Sequence, residues 1–350
     1  MERADKNLRT ASPHPSRSLP IAFAALVAVC LATSLPAQML KARGSGMDLR
    51  LVRTAGQHRI VLPDGGTVTL PLSAVASVGD FRLVGGDWWV AAVDRRREDS
   101  ALVVLEGRAD KISSLPVPAV GLDQAVREPR LLVACERLDG MLWLEGDAGD
   151  RMTVRAARWD GGAWESPATV SPAGPGTQIA LTATVLADGS WLAAWAAFDG
   201  RDDEILWSRL SGGRWSSPRP VAADNAVPDI TPSLIATADG ALLAWSRYDG
   251  HDYRVHLARF DASGWAEPAM IGTKGSAFPV FSDDRSPILI YRQAVPDAWR
   301  VAELDARGKV LRQAEAAASD QQAPVVAGVS EDGVVLEWAE SSATIRWLGQ

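Results

Sequence analysis

The chain is poor in the residues that carry most enzymatic chemistry. Among 350 residues there are two Cys, four His and three Tyr. One His, His14, and one Cys, Cys30, fall in the first 37 residues, so beyond them Cys135 has no second thiol to pair with and no intramolecular disulfide can form. No His-x-x-x-His or paired-Cys arrangement is present to bind zinc. No Gly-x-Ser-x-Gly elbow marks a serine nucleophile, and no Gly-rich phosphate loop follows a strand. Basic charge is also short: 36 Lys and Arg against 43 Asp and Glu give a net charge of −7. A surface that binds nucleic acid or anionic lipid needs a cationic field, so both are excluded as expected partners. Long apolar runs of helical period are missing, which removes an α/β reading.

Tryptophan is abundant instead, with 14 residues. Three of them sit in one repeated turn, Gly162-Ala163-Trp164, Gly213-Arg214-Trp215 and Ser263-Gly264-Trp265, spaced 51 and 50 residues apart. Each copy lies in a unit with the same order. An apolar run leads to an Asp-Gly turn (Asp188-Gly189, Asp239-Gly240), and a second run follows that holds Trp195 or Trp245. A second Asp-Gly loop (Asp199-Gly200, Asp249-Gly250) then precedes a third run ending in Arg209 or Arg259. Runs of five or six residues bounded by Gly, Asp and Pro are strands, and Asp-Gly is turn chemistry because Gly accepts positive φ while Asp bonds its own backbone. A period near 50 made of four such strands predicts a β-propeller, an all-β ring in which each blade hides its apolar faces against its neighbours.

Weaker copies extend the pattern from Phe81 to Leu304, and Pro324–Trp338 supplies a last, incomplete unit. Asp48–Arg53 and His58–Leu62 have no unit of their own. The expectation is therefore six four-stranded blades, with the N- and C-terminal strands sharing one blade to close the ring and remove exposed edges. Trp164, Trp195, Trp215, Trp245, Trp265 and Trp338 are expected to wedge between blades.

The first 37 residues read as a secretory signal. Arg3, Lys6, Arg9 and Arg17 precede the uncharged run Leu19–Leu31, and Leu35-Pro36-Ala37 matches a small-residue cleavage site. The run is too short for a comfortable membrane span, and a lipoprotein anchored through Cys30 is the alternative. The leader carries four Lys/Arg and two Asp/Glu, which leaves the mature propeller, 38–350, with 32 basic and 41 acidic residues, a net charge of −9. Periplasmic or secreted, monomeric and without a membrane span is the expected state. Cys135, at the end of an apolar run, is expected to be an inert core residue.

The candidate ligand-binding residues are Asp199 and Asp202 in one loop and Asp249 and Asp252 in its equivalent one blade on. Both loops join the second and third strands. Carboxylates gathered there can bind a polyhydroxylated ligand or Ca²⁺, although no cofactor is required and the spacing is not that of an EF-hand.

Ser208-Arg209-Leu210-Ser211-Gly212-Gly213-Arg214-Trp215 keeps the Ser, Gly and Trp of the Asp-box, Ser-x-Asp-x-Gly-x-Thr-Trp. On that motif, and over residues 80–340, the chain resembles the sialidase-like (BNR) superfamily of six-bladed propellers. The Asp is lost: Leu210, Trp159 and Phe260 occupy its place in the three copies. The resemblance implies a sugar carboxylate held by three Arg, an Asp as acid or base, and a Tyr–Glu nucleophile. The Arg-Ile-Pro segment that supplies the first Arg is absent. Tyr291 and Arg292, followed by Asp297, are the one echo of the catalytic set and join the candidate ligand-binding residues. No catalytic residue is assigned. The expectation is a non-catalytic module that binds an envelope protein or a carbohydrate, with a diverged sialidase-type glycoside hydrolase as the alternative.

Overall fold

The computed structural model describes residues 39–348 except 45–46, 85, 95–100, 109–110, 121–123, 147–150, 172–173, 175, 224–225, 283–285, 318–322 and 339–341. The expected signal segment and Cys30 lie outside the described residues. Among the described residues no helix is long and apolar enough to cross a membrane.

All described regular structure is β. The strands form seven antiparallel sheets in chain order, so the propeller has seven blades rather than the six expected. Their inner strands are Met39–Gly44, Ser77–Val84, Ala125–Ala134, Gln178–Val185, Asp229–Thr237, Ser276–Ser282 and Val325–Val329. The extra blade is the first. Met39–Gly44, Met47–Thr54, Gln57–Val61 and Thr67–Thr69 pair in order as a complete four-stranded sheet. The N- and C-terminal strands therefore do not share a blade. Blade 1 escapes the 50-residue period because it is compressed and lacks the Gly-x-Trp turn. The last blade holds three strands, Val325–Val329, Gly333–Glu337 and Ser342–Arg346. The ring is closed by packing of blade 1 beside blade 7, where Arg50 and Glu337 form a 3.5 Å ion pair.

The core is a series of apolar clusters, each shared by two neighbouring blades. Trp195 is buried with Leu144 and Val154 of blade 3, and Trp245 with Leu192 and Ile205 of blade 4. Trp143, Trp195 and Trp245 occupy the same place on successive second strands and are 0% exposed. Trp338 is buried between blades 6 and 7. Trp164, Trp215 and Trp265 are half-buried and pack against the clusters, so all six tryptophans named above are packing residues.

Trp159, Leu210 and Phe260 lie directly across the hairpin from Trp164, Trp215 and Trp265. Ring centroids are 5.0 Å apart for Trp159–Trp164 and 5.1 Å for Phe260–Trp265. The position where the Asp-box resemblance would put a carboxylate makes an aromatic or aliphatic contact. The turn is closed by the next residue instead: Asp160 accepts the amides of Gly162 and Ala163 at 2.8 and 2.6 Å, and Asp261 accepts that of Ser263 at 2.8 Å.

Cys135 corrects a second expectation. It is exposed, in the hairpin turn after Ala125–Ala134, with φ of 49° followed by 57° at Glu136. The apolar run ends one residue earlier, and two consecutive left-handed residues turn the chain back as a tight hairpin requires.

Candidate functional site

Two places on the ring collect polar groups. The first is the central channel, a cavity of about 500 Å³ bounded by all seven inner strands. Its wall is tied together by a contact repeated from blade to blade. A polar side chain on one inner strand accepts an amide of the next strand: Asp80 from Leu131 (2.9 Å), Thr182 from Leu234 (3.2 Å) and Ser233 from Phe281 (2.9 Å). In blade 3 the corresponding position is Arg130, a donor, and Glu128 takes over by accepting Ala180 (3.2 Å) and Leu181 (2.8 Å). The reach is possible because these inner strands carry bulges, with left-handed residues at Glu128, Ala180, Thr231 and Phe278 (φ 49–56°). Arg130 spans three blades, donating to Gly79 O and, at 2.8 Å, to Leu181 O.

The channel wall is otherwise apolar or hydroxylic. Among its described lining residues the charged side chains are Asp80 and Arg82, which pair at 3.0 Å. One Arg, with no Tyr or Glu, does not make the three-arginine clamp and Tyr–Glu couple of the sialidase reading. Tyr291 stands elsewhere. It is 4% exposed on the second strand of blade 6, packed against Leu242, Ala244 and Val255 of blade 5, and burial raises its phenol pKa. Arg292, the next residue, points to the other side of the sheet. It donates to Asp297 at 2.7 and 2.9 Å and lies over Trp299 at 5.2 Å.

The second place is the end of the ring where the second and third strands of each blade connect. The structure brings the two predicted loops into matching form on blades 4 and 5. Asp199 accepts the amides of Arg201 (2.8 Å) and Asp202 (3.2 Å), while its own amide donates to Asp202 O (3.0 Å). Asp249 accepts those of His251 (3.0 Å) and Asp252 (2.9 Å), donates to Asp252 O (3.0 Å), and receives Arg254 Nε at 3.0 Å. Gly200 and Gly250 (φ 110° and 94°) allow the turn. Amide donors hold both Asp carboxyls below the usual range: Arg201 and Asp202 for Asp199, Asp252 and His251 for Asp249. The other two members differ, since Asp202 is buried whereas Asp252 is half-buried and pairs with Lys274 at 3.0 Å.

Sequence reasoning missed the groups behind these loops. Tyr248 and Tyr253 pack with tilted rings, centroids 5.1 Å apart, across the mouth of the blade 5 hairpin. Burial raises the Tyr253 phenol, with Tyr248 and the Asp203 carboxylate of blade 4 adding to the shift. Asp203 is itself raised by burial and by its neighbours Asp202 and Asp199. Beneath them Asp229, 1% exposed, receives Arg247 Nε and Nη2 at 2.7 and 2.6 Å. Phe198 remains 37% exposed. The signal was present in sequence: both loops open with an aromatic residue ahead of the Asp-Gly pair, Phe198-Asp199-Gly200 and Tyr248-Asp249-Gly250. Among the described residues no group of three His, Cys, Asp or Glu is placed to hold a metal.

These features define a β-propeller with an acidic, aromatic-flanked loop face. No family model and no curated protein sequence matches the chain. Solved structures do. A protein of unknown function from Dyadobacter fermentans is 14% identical with a TM-score of 0.50, over 81% of this chain and 91% of its own. An ulvan lyase of a polysaccharide lyase family is 10% identical with a TM-score of 0.50, over 80% and 72%. A prolyl endopeptidase is 13% identical with a TM-score of 0.52, over 90% of this chain but 48% of its own. At these identities the likeness shows the fold alone.

Proposed function

We propose that the chain is an exported, non-catalytic propeller of the cell envelope that binds a carbohydrate or an envelope protein through the loop face of blades 4 and 5. The observation that carries this reading is the duplicated loop: Asp199 and Asp249 are fixed in the same geometry in adjacent blades, and Phe198 and the Tyr248–Tyr253 pair flank them. Fixed carboxylate oxygens next to aromatic faces suit a sugar, whose hydroxyls donate and whose C–H faces stack. The paired Asp80–Arg82 channel, by contrast, offers nothing to fix a sugar acid. Arg292 belongs to the next loop of the same face through its pair with Asp297. Tyr291 supports the blade interior behind it.

The reading includes a mature chain beginning near Gln38, monomeric and periplasmic or secreted, with lipid attachment at Cys30 as the alternative. It needs no cofactor. Ca²⁺ at the loops is tested by melting with and without EDTA. The decisive experiment is a glycan and envelope-protein binding screen of wild type against the Asp199→Asn/Asp249→Asn double variant. Asn keeps the turn and removes the charge. Any ligand of this face should lose at least tenfold in affinity, and an unchanged ligand profile would sink the assignment.

A further inference from the structure

His58 is the most deeply buried imidazole among the described residues, at 2% exposure, on the third strand of blade 1 (Gln57–Val61). Its Nδ1 has no hydrogen-bond partner among the described residues. Arg53 is its direct cross-strand partner, so a guanidinium stands on the same side of the hairpin. The carboxylate of Asp94, at the end of the second strand of blade 2, acts on it electrostatically from the next blade. These two are the charged groups that act on His58 among the described residues.

The same three residues anchor the crossover 70–76 that leads from blade 1 to blade 2. Leu70 N donates to His58 O at 2.9 Å, Ser73 donates to Asp94 from its amide (3.0 Å) and its hydroxyl, and Arg53 donates to Ala74 O. Ala76 N then donates to Ser73 O at 3.1 Å and its methyl is fully buried. We propose that His58 is an acid-sensitive latch on this crossover, releasing residues 70–76 when the imidazole takes a proton. The charged ring would be desolvated beside Arg53, and among the described residues the carboxylate that acts on it is Asp94, which Ser73 holds, so compensating the charge draws Asp94 away from Ser73.

Burial, then Arg53, holds the His58 pKa below its ordinary value, against a smaller opposing pull from Asp94. The sign follows. A depressed folded pKa gives the closed crossover a stability that is full above the open-state pKa and is lost as pH falls through it. With an open-state pKa of about 6.5, the opening constant can rise by at most about 30-fold between pH 7.5 and 5.0.

The test is amide hydrogen exchange at pH 7.5 and 5.0, corrected for intrinsic rates, on wild type and His58→Phe. In wild type, exchange at Leu70, Ser73 and Ala76 should accelerate by roughly ten- to thirtyfold at the lower pH, while the strand Trp191–Phe198 does not change. In His58→Phe the acceleration should vanish. Equal acceleration in both proteins, or none in wild type, overturns the latch. Should the Phe variant fail to fold, His58→Gln serves in its place. NMR titration of His58 in the unaltered protein tests the same point independently: an imidazole titrating below 6.5 is expected, and one titrating at or above that value refutes the proposal.

Discussion

Breaking the Asp229–Arg247 pair isolates the energetics beneath the loop face. Asp229 is the first residue of its inner strand, and its side chain is 2% exposed against 19% for Arg247. Two hydrogen bonds of 2.7 and 2.6 Å, one from Nε and one from Nη2, make the contact bidentate. Asp229→Ala leaves a partly solvated guanidinium, with Glu204 and Glu267 still acting on it. Arg247→Met leaves a carboxylate almost wholly cut off from water. Losing one member of a buried pair costs about 3–5 kcal/mol, mostly through the stranded charge. Asp229→Ala belongs at the lower end of that range and Arg247→Met at the upper. At about 2 °C per kcal/mol for a domain of this size, the melting temperature should fall by roughly 6 °C and 10 °C respectively. The double variant Asp229→Leu/Arg247→Met removes both charges and should lie within about 1 kcal/mol of wild type. Reversible urea unfolding of the four proteins closes the cycle. A single-variant loss below about 1 kcal/mol, or a double variant as unstable as the worse single, would refute the view that pairing is what holds these charges at the blade junction.

Three further outcomes are expected. Glu128→Ala removes the carboxylate that caps the Ala180 and Leu181 amides. Because the Glu128 side chain is 32% exposed and water can replace it in part, the loss should be about 2 kcal/mol in urea unfolding, and a neutral result would deny the inter-strand tie a stabilising role. Asp203→Asn should stabilise the protein at pH 7. The folded carboxyl titrates above its unfolded value, so wild-type stability is relatively highest below the unfolded pKa and falls as pH rises through the folded one; the gain should disappear near pH 3.5, and a variant less stable than wild type at pH 7 contradicts this sign. Trp195→Ala, at a position with 0% exposure, should cost about 3–5 kcal/mol by calorimetry or denaturant titration, whereas a loss under about 1 kcal/mol would mean the indole is not wedged between blades 3 and 4.

The propeller was legible in sequence because its strongest signals are local. Gly-x-Trp and Asp-Gly turns recur at fixed distance, and each demands the same backbone wherever it falls. The number of blades was not legible, for a physical reason visible in blade 1. Val68, Ile60 and Leu51 bury themselves against blade 2, Trp88 included, but blade 1 has no tryptophan or Gly-x-Trp turn of its own, so nothing periodic announces the unit. An antiparallel sheet needs only alternation and short turns, and those are common to any β segment. The lone cysteine was misplaced by the same logic: apolar neighbours at Leu131 and Leu132 say strand, but only the hairpin geometry shows that the strand has ended by Cys135.

At the loop face, sequence alone identified the residues whose bonds are local. Asp199 and Asp249 bond amides two and three positions on, contacts that an Asp-Gly loop almost dictates. The partners that set the electrostatics come from across a sheet or from the next blade, and spacing along the chain carries no trace of them. Asp229 meets Arg247 across 18 residues, and Asp203 reaches Tyr253 across a blade boundary. Tyr291 and Arg292 show the converse. Adjacent in sequence, they entered the candidate ligand-binding set together, yet successive residues of a strand face opposite ways, so one enters the blade 5–blade 6 core and the other reaches the loop face. Neighbouring letters on a strand therefore need not belong to one site. The two Asp-Gly loops differ in kind, because they are repeats of one fold element, which adjacent blades of a ring bring side by side.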